Sequence, residues 1–146
     1  MSPLKSKSTA TWLAVLGGSL GLHRHYLHGP RDPWAWLFCP ATLAGLAGVI
    51  RMRNLGQDDM VSWALIPLLG LSVAAAMLSA IVIGLTPDER WAERFRAGQV
   101  QPSGWAPVLG VIVALLVGGA ALMGTIAFSG QKLFEWQQAT DTSAAR

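Results

Sequence analysis

The sequence predicts an all-α, polytopic helical membrane protein with two transmembrane hairpins, about four helices, plus a short amphipathic helix at the interface. Three observations predict it. Of 146 residues, 52% are hydrophobic and only 13% charged, where a soluble domain carries about 25% charged residues; the mean hydropathy is +0.41. Four apolar segments alternate with short polar stretches. Trp12, Trp34, Trp36, Trp63, Trp105 and Trp136 stand close to segment ends, the headgroup depth that an amphipathic indole prefers.

The first segment covers about residues 8–22. As a helix it reaches only ~22 Å, short of the ~30 Å hydrocarbon core. It must therefore extend through the histidine-rich stretch, sit in a thinned bilayer, or re-enter on the side it came from. Lys5 and Lys7 before it resemble the n-region of a signal peptide, but no small-x-small cleavage site follows, so it is expected to be retained. The second segment, about residues 33–50, is also near the lower length limit and carries Pro40, which removes a helix hydrogen bond. The third, Met60 to Leu85, has no charge after Asp59, and the fourth, 105–128, has none at all. Both are long enough to span. Asp58 and Asp59 are adjacent and do not face each other on a helix, so they are expected to cap the third helix.

Between the third and fourth segments lies the one loop with structure of its own, a helix expected over 87–97. Thr86, Pro87 and Glu89 read as an N-cap, a first-turn proline and a capping-box glutamate. Trp91 and Phe95 share one face, Arg90, Arg94 and Arg96 occupy others, and Gly98 reads as the stop. Such a helix either lies in the headgroup region or docks on the protein as a solvated connector. Residues 129–146 read as a polar C-terminal tail, mobile from about Gln137.

Small residues suggest how the helices meet. Ser72, Ala76, Ala80 and Gly84 recur every four residues on the third helix, and Gly110, Ala114 and Gly118 on the fourth. Such stripes let backbones approach closely where lipid provides no hydrophobic drive between helices. The third and fourth helices are expected to pack through them. Four spans would put both termini on one side. The basic residues then divide six against five, and Lys5 and Lys7 before the first helix favour cytoplasmic termini.

The stretch KSKSTATWLAVLGGSLGLHRHYLHG, residues 5–29, resembles the opening of the TM2 domain. That family has a lysine-flanked apolar helix, then a Gly-x-x-Gly-x-His/Asp-Arg-Phe-Tyr-x-Gly-like sequence, then a second apolar helix. Gly18, Gly21, His23, Arg24, Tyr26 and Gly29 fall on its positions, and Gly17 adds a further small residue. His25 replaces the usual phenylalanine, and the spacer before Gly29 is one residue longer than in the tightest pattern. The match covers about residues 5–52. It implies a helical hairpin, residues 5–52, with a polar turn, and no common enzymatic activity. Residues 60–128 then form a second hairpin. Some eukaryotic relatives are thought to hold the turn on the cytoplasmic side.

Read as architecture, Gly17, Gly18 and Gly21 admit a neighbouring helix. Arg24 binds phosphate or helix-end carbonyls, Tyr26 anchors at headgroup depth, and Gly29 with Pro30 reverses the chain. The expected function is that of a scaffold or accessory protein acting through lipid and helix contacts, in a bacterial inner (plasma) membrane, as a homo-oligomer or with a membrane-protein partner. No cofactor is expected. Nucleic acid is excluded as a partner: the net charge of +3 is scattered and forms no basic face. Enzymatic activity is not expected, because no nucleophile–base pair or phosphate-binding glycine loop is present. One alternative is an oligomeric channel or transporter component, although the apolar segments lack ionisable groups. Another is metal or haem binding by His23, His25 and His28. The lone Cys39 excludes an intramolecular disulfide.

Overall fold

The computed structural model describes residues 5–95 and 98–144. Arg96, Ala97 and Arg146, used above in the loop helix and the charge count, lie outside the described residues. The described residues form six α-helices: α1 Lys7–Gly17, α2 Leu22–His28, α3 Pro33–Leu55, α4 Met60–Leu85, α5 Asp88–Phe95 and α6 Ala106–Ala144. A 3-10 turn, Gly18–Leu20, links α1 to α2. No strand occurs among the described residues. Among the described residues three helices, not four, are long and apolar enough to cross a membrane: α3, α4 and α6.

The first apolar segment is the departure. α1 has 11 residues and reaches about 16 Å. The chain then doubles back. The Ser6 amide donates to the Tyr26 hydroxyl at 3.1 Å, and Lys5 Nζ donates to the Leu27 carbonyl, so the start of α1 lies beside the end of α2. The sharp turn depends on Gly21, whose φ is +79°. A side chain there would be strained, and its Cβ would strike the Ala35 carbonyl of α3. Of the three fates open to this short segment, doubling back is the one adopted, and the His–Arg stretch expected to be a turn is the helical return strand of that hairpin.

The hairpin tip is inserted between α3 and α4 at mid-height. Thr42 Oγ1 donates to the Ser19 carbonyl at 2.5 Å and lies 3.0 Å from Ser72 Oγ. A Cβ at Gly18 would lie 2.8 Å from Ala76 Cβ. α3 and α4 form an antiparallel pair, with Gly48 against Leu65. α4 and α6 form another, with Gly118 against Met77. The small-residue stripe is therefore shared. Ser72 and Ala76 face the hairpin tip, Gly84 faces both Thr11 and Val111, and Gly110 faces Thr11. Ala80 and Ala114 are fully buried in the same seam. Gly84 and Gly118 lie in the α4–α6 contact, against Val111 and Met77, while α1 and the hairpin tip occupy much of the α4 stripe.

Helix ends follow their local chemistry. Asp59 caps α4 by accepting from the Ser62 amide at 3.1 Å, and Arg51 grips the same carboxylate with two bonds of 3.0 Å. The cap expected from the sequence is therefore formed by Asp59, while Asp58 is exposed. Asp32 caps α3 through the Trp34 amide at 3.1 Å. Thr86 does not cap α5: its hydroxyl donates backwards to the Val82 carbonyl of α4 at 2.7 Å. Gly98, at φ +82°, returns its amide to the Ala92 carbonyl at 2.9 Å and ends the loop helix as expected. α6 does not stop at Phe128. It runs 39 residues, about 58 Å, so the stretch expected as a mobile tail is helical through Ala144. No glycine or proline interrupts residues 131–144, and intrahelical bonds continue unopposed.

These connections place the chain ends at opposite ends of the bundle. Lys7 Nζ donates to the Thr86 carbonyl, at the C-terminal end of α4. Lys132 Nζ donates to the Gln57 carbonyl at 3.4 Å and lies 4.3 Å from the Trp63 ring, at the N-terminal end of α4. Both termini on one side, as four spans would require, does not fit this arrangement.

Candidate functional site

The polar residues of the N-terminal third gather where α2, the end of α4, and α5 meet. The first group is a structural knot. Lys7, only 9% exposed, bonds Asp88 Oδ1 and the Thr86 carbonyl, both at 2.8 Å. Asp88 also accepts from the Ser103 hydroxyl at 2.6 Å and its amide at 3.1 Å. The Lys7 bond, then the Ser103 bonds, hold Asp88 down to about 2. Trp91 Nε1 donates to the Lys5 carbonyl at 2.9 Å, and the ring is buried among Ala10, Leu27 and Ile83. Trp91 thus faces protein, and α5 is a connector docked on the bundle by this face. The two lysines that the sequence offered as topology signals are engaged by internal acceptors.

The second group is the histidine–arginine helix. Arg24 Nε donates to Asp32 Oδ2 at 2.8 Å, tying α2 to the cap of α3, and this bond lowers the Asp32 carboxyl below its usual range. Tyr26 receives the Ser6 amide. Gly29 closes α2 by returning its amide to the His25 carbonyl at 2.9 Å. Gly17 lies against the Leu22 side chain across the turn. The seven motif residues are thus brought into one hairpin, in which Arg24 and Tyr26 each have an internal partner.

The three histidines diverge. His23 meets Phe38 edge-on at 5.8 Å, His25 meets Trp36 at 5.3 Å, and His28 Nδ1 lies 3.8 Å from Asp32 Oδ2. Among the described residues no three His, Cys, Asp or Glu side chains come together as a metal-holding group. His23 is 2% exposed, with neither ring nitrogen hydrogen-bonded among the described residues.

Beside His23 opens a cavity of about 340 Å³ between α2, α4 and α5. Arg24, His28, Arg90 and Arg94 contribute basic groups, and no carboxylate lines it. Leu78, Val82 and Ile83 form an apolar wall along α4. Arg90 and Arg94 are one helical turn apart and share a face of α5. The sequence placed these arginines on the polar faces of the loop helix but gave no sign that they converge on Arg24. The separation is more than sixty positions along the chain, and no local pattern encodes it.

No family model matches this chain, and neither does any curated protein or solved structure.

Proposed function

We propose that the chain is a multi-pass membrane protein with three crossing helices and a re-entrant N-terminal hairpin, serving as a scaffold or accessory subunit through lipid and helix contacts. The observation that carries this reading is the surface of the long helices. Only 11% of the most apolar stretch of α6 is buried, and 33% of that of α4. Leu71, Leu78, Leu116 and Ile126 are more than half exposed. In water such a continuous apolar surface is costly, at about 25 cal/mol per Å²; in hydrocarbon the cost disappears. Trp34, Trp36 and Trp105 mark one end of the bundle, and Trp63 and Trp136 the other, in keeping with two aromatic belts.

The hydroxyls along the helices are suited to this solvent. Thr11, Ser79 and Thr125 each donate to the carbonyl four residues earlier, which satisfies them without water. Charge supports an orientation. Lys5, Lys7, Arg24, Arg31, Arg90 and Arg94 lie at the N-terminal end of the bundle, against Arg51, Arg53 and Lys132 at the other. Among the described residues six against three favours a cytoplasmic N-terminus under the positive-inside rule, with the C-terminus across the membrane. In this reading the end of α2 and the Gly29–Pro30 reversal lie on the cytoplasmic side, as is thought of the turn in some eukaryotic relatives of the TM2 domain. A bacterial inner membrane suits this reading.

Alkaline carbonate extraction tests membrane integration: the chain stays with the pelleted membrane, and release into the supernatant would end the reading. Reconstituted liposomes test the role. No added ion leak is expected; conductance abolished by bulky side chains at Gly110 and Gly118 would favour a channel instead.

A further inference from the structure

The cavity beside His23 combines two chemistries that rarely share a wall. Its α5 side carries Arg90 and Arg94, neither in an ion pair among the described residues. Arg24 commits its Nε to Asp32, which leaves the other guanidinium donors of its five N–H groups available. His23, buried with both ring nitrogens unpartnered, forms part of the inner wall. The α4 side presents Leu78, Val82 and Ile83, and the hydroxyls of Ser79 and Thr86 there are turned back onto the helix's own carbonyls. This side runs from Thr86 to Leu78, about 12 Å of helix, and Leu78 and Val82 are 61% and 60% exposed. A purely structural pocket has no need of unpaired guanidiniums facing an apolar strip.

We propose that this cavity binds an anionic phospholipid, its phosphate held by Arg90, Arg94 and Arg24 and one acyl chain lying along Leu78 and Val82. Guanidinium is suited to phosphate because its planar fork matches two oxygens at once. The position is consistent: α5 follows directly on the end of a membrane-length helix, so the basic groups lie at headgroup height and the apolar strip points to the hydrocarbon. Three arginines and no acid line the cavity, so a zwitterionic headgroup would bring its own cation against like charge. The lipid also spans the joint between the re-entrant hairpin and α5, and its binding would clamp the two together. The proposal rests on the membrane reading above.

The test is native mass spectrometry of the full chain, extracted gently and titrated with dioleoyl-phosphatidylglycerol or dioleoyl-phosphatidylcholine. The variants are Arg90→Gln with Arg94→Gln, and Arg31→Gln as a control, since Arg31 is exposed at the same end but outside the cavity. Carbonate-resistant insertion of each variant is checked first, so that failure of the membrane reading is seen separately. One phosphatidylglycerol per chain is the expected result, with affinity falling about tenfold for each arginine lost, the scale of a charge-assisted hydrogen bond. The control should bind like the unaltered chain. Equal retention of both lipids, or phosphatidylglycerol binding unchanged in the double variant, would overturn the proposal. Displacement of the lipid by millimolar inorganic phosphate would assign the site to a soluble phosphate compound and overturn the lipid source.

Discussion

Replacing Lys7 with methionine removes one charge and keeps the side-chain volume. In the structure this leaves the Thr86 carbonyl without its donor and Asp88 with Ser103 as its remaining partner. A hydrogen bond to a charged group contributes about 1.5–3 kcal/mol, and an orphaned buried carbonyl costs about 1–3 kcal/mol. Asp88 keeps 27% of its side-chain exposure, so water recovers part of the loss, and about 2–3 kcal/mol is the expected destabilisation. The assay is reversible unfolding in detergent by denaturant titration, carried through the cycle of Lys7→Met, Asp88→Asn and the double variant. A coupling of at least about 1 kcal/mol is expected, since both groups share one bond. The pH dependence has a definite sign. Asp88 is held at about 2, below its ordinary 3.8, so its contribution is complete above pH 3.8 and disappears as pH falls through about 2. Unaltered protein should lose stability across that window, and Lys7→Met should lose much less. Strict additivity, with the same acid profile in both proteins, would refute the knot.

Further expectations concern the hairpin. Gly21→Ala should prevent its closure and sharply reduce the yield of monodisperse protein on size exclusion, because φ is +79° and the Cβ meets the Ala35 carbonyl. Gly29→Ala, at φ +85° and ψ −179° with nothing within 4 Å, should cost the backbone strain of a region that glycine alone adopts readily, about 1–3 kcal/mol, read in the same unfolding assay. Thr42→Val should orphan the Ser19 carbonyl and cost about 1–3 kcal/mol, with faster hydrogen exchange confined to the turn at residues 18–21; unchanged exchange would refute the bond. Arg24→Ala with Tyr26→Ala should lower the amount of inserted, protease-resistant chain, since the links to Asp32 and Ser6 are both lost.

Much of the helical content was legible because the signals were local. The runs at α4 and α6 are uncharged over a membrane's thickness, Asp59 precedes its apolar run as a cap should, and Gly98 ends α5 as expected. The fate of residues 8–22 was legible only as a length deficit. Hydropathy is the same for a helix that crosses and one that turns at mid-height, and Gly21 at +79° has no unique sequence mark beside Gly17 and Gly18. The continuation of α6 left a readable trace, the lack of any breaker after Gly130, but polarity outweighed it. The pairings were not legible. Lys7 with Asp88, Thr42 with Ser72, and Arg24 with Arg90 and Arg94 around one cavity are set by how the helices fold back, and each residue alone looks like an ordinary flank or packing position.

The most direct measurement is the sidedness of three points in sealed, oriented membrane vesicles, read with a membrane-impermeant maleimide and protease. Epitopes at the two termini and a cysteine at Arg31→Cys, with Cys39 replaced by alanine, give the three reports. A re-entrant hairpin followed by three crossings puts the N-terminal epitope and position 31 on one side and the C-terminal epitope on the other. Both termini together, with position 31 opposite them, would mean four crossings and would contradict the fold described here.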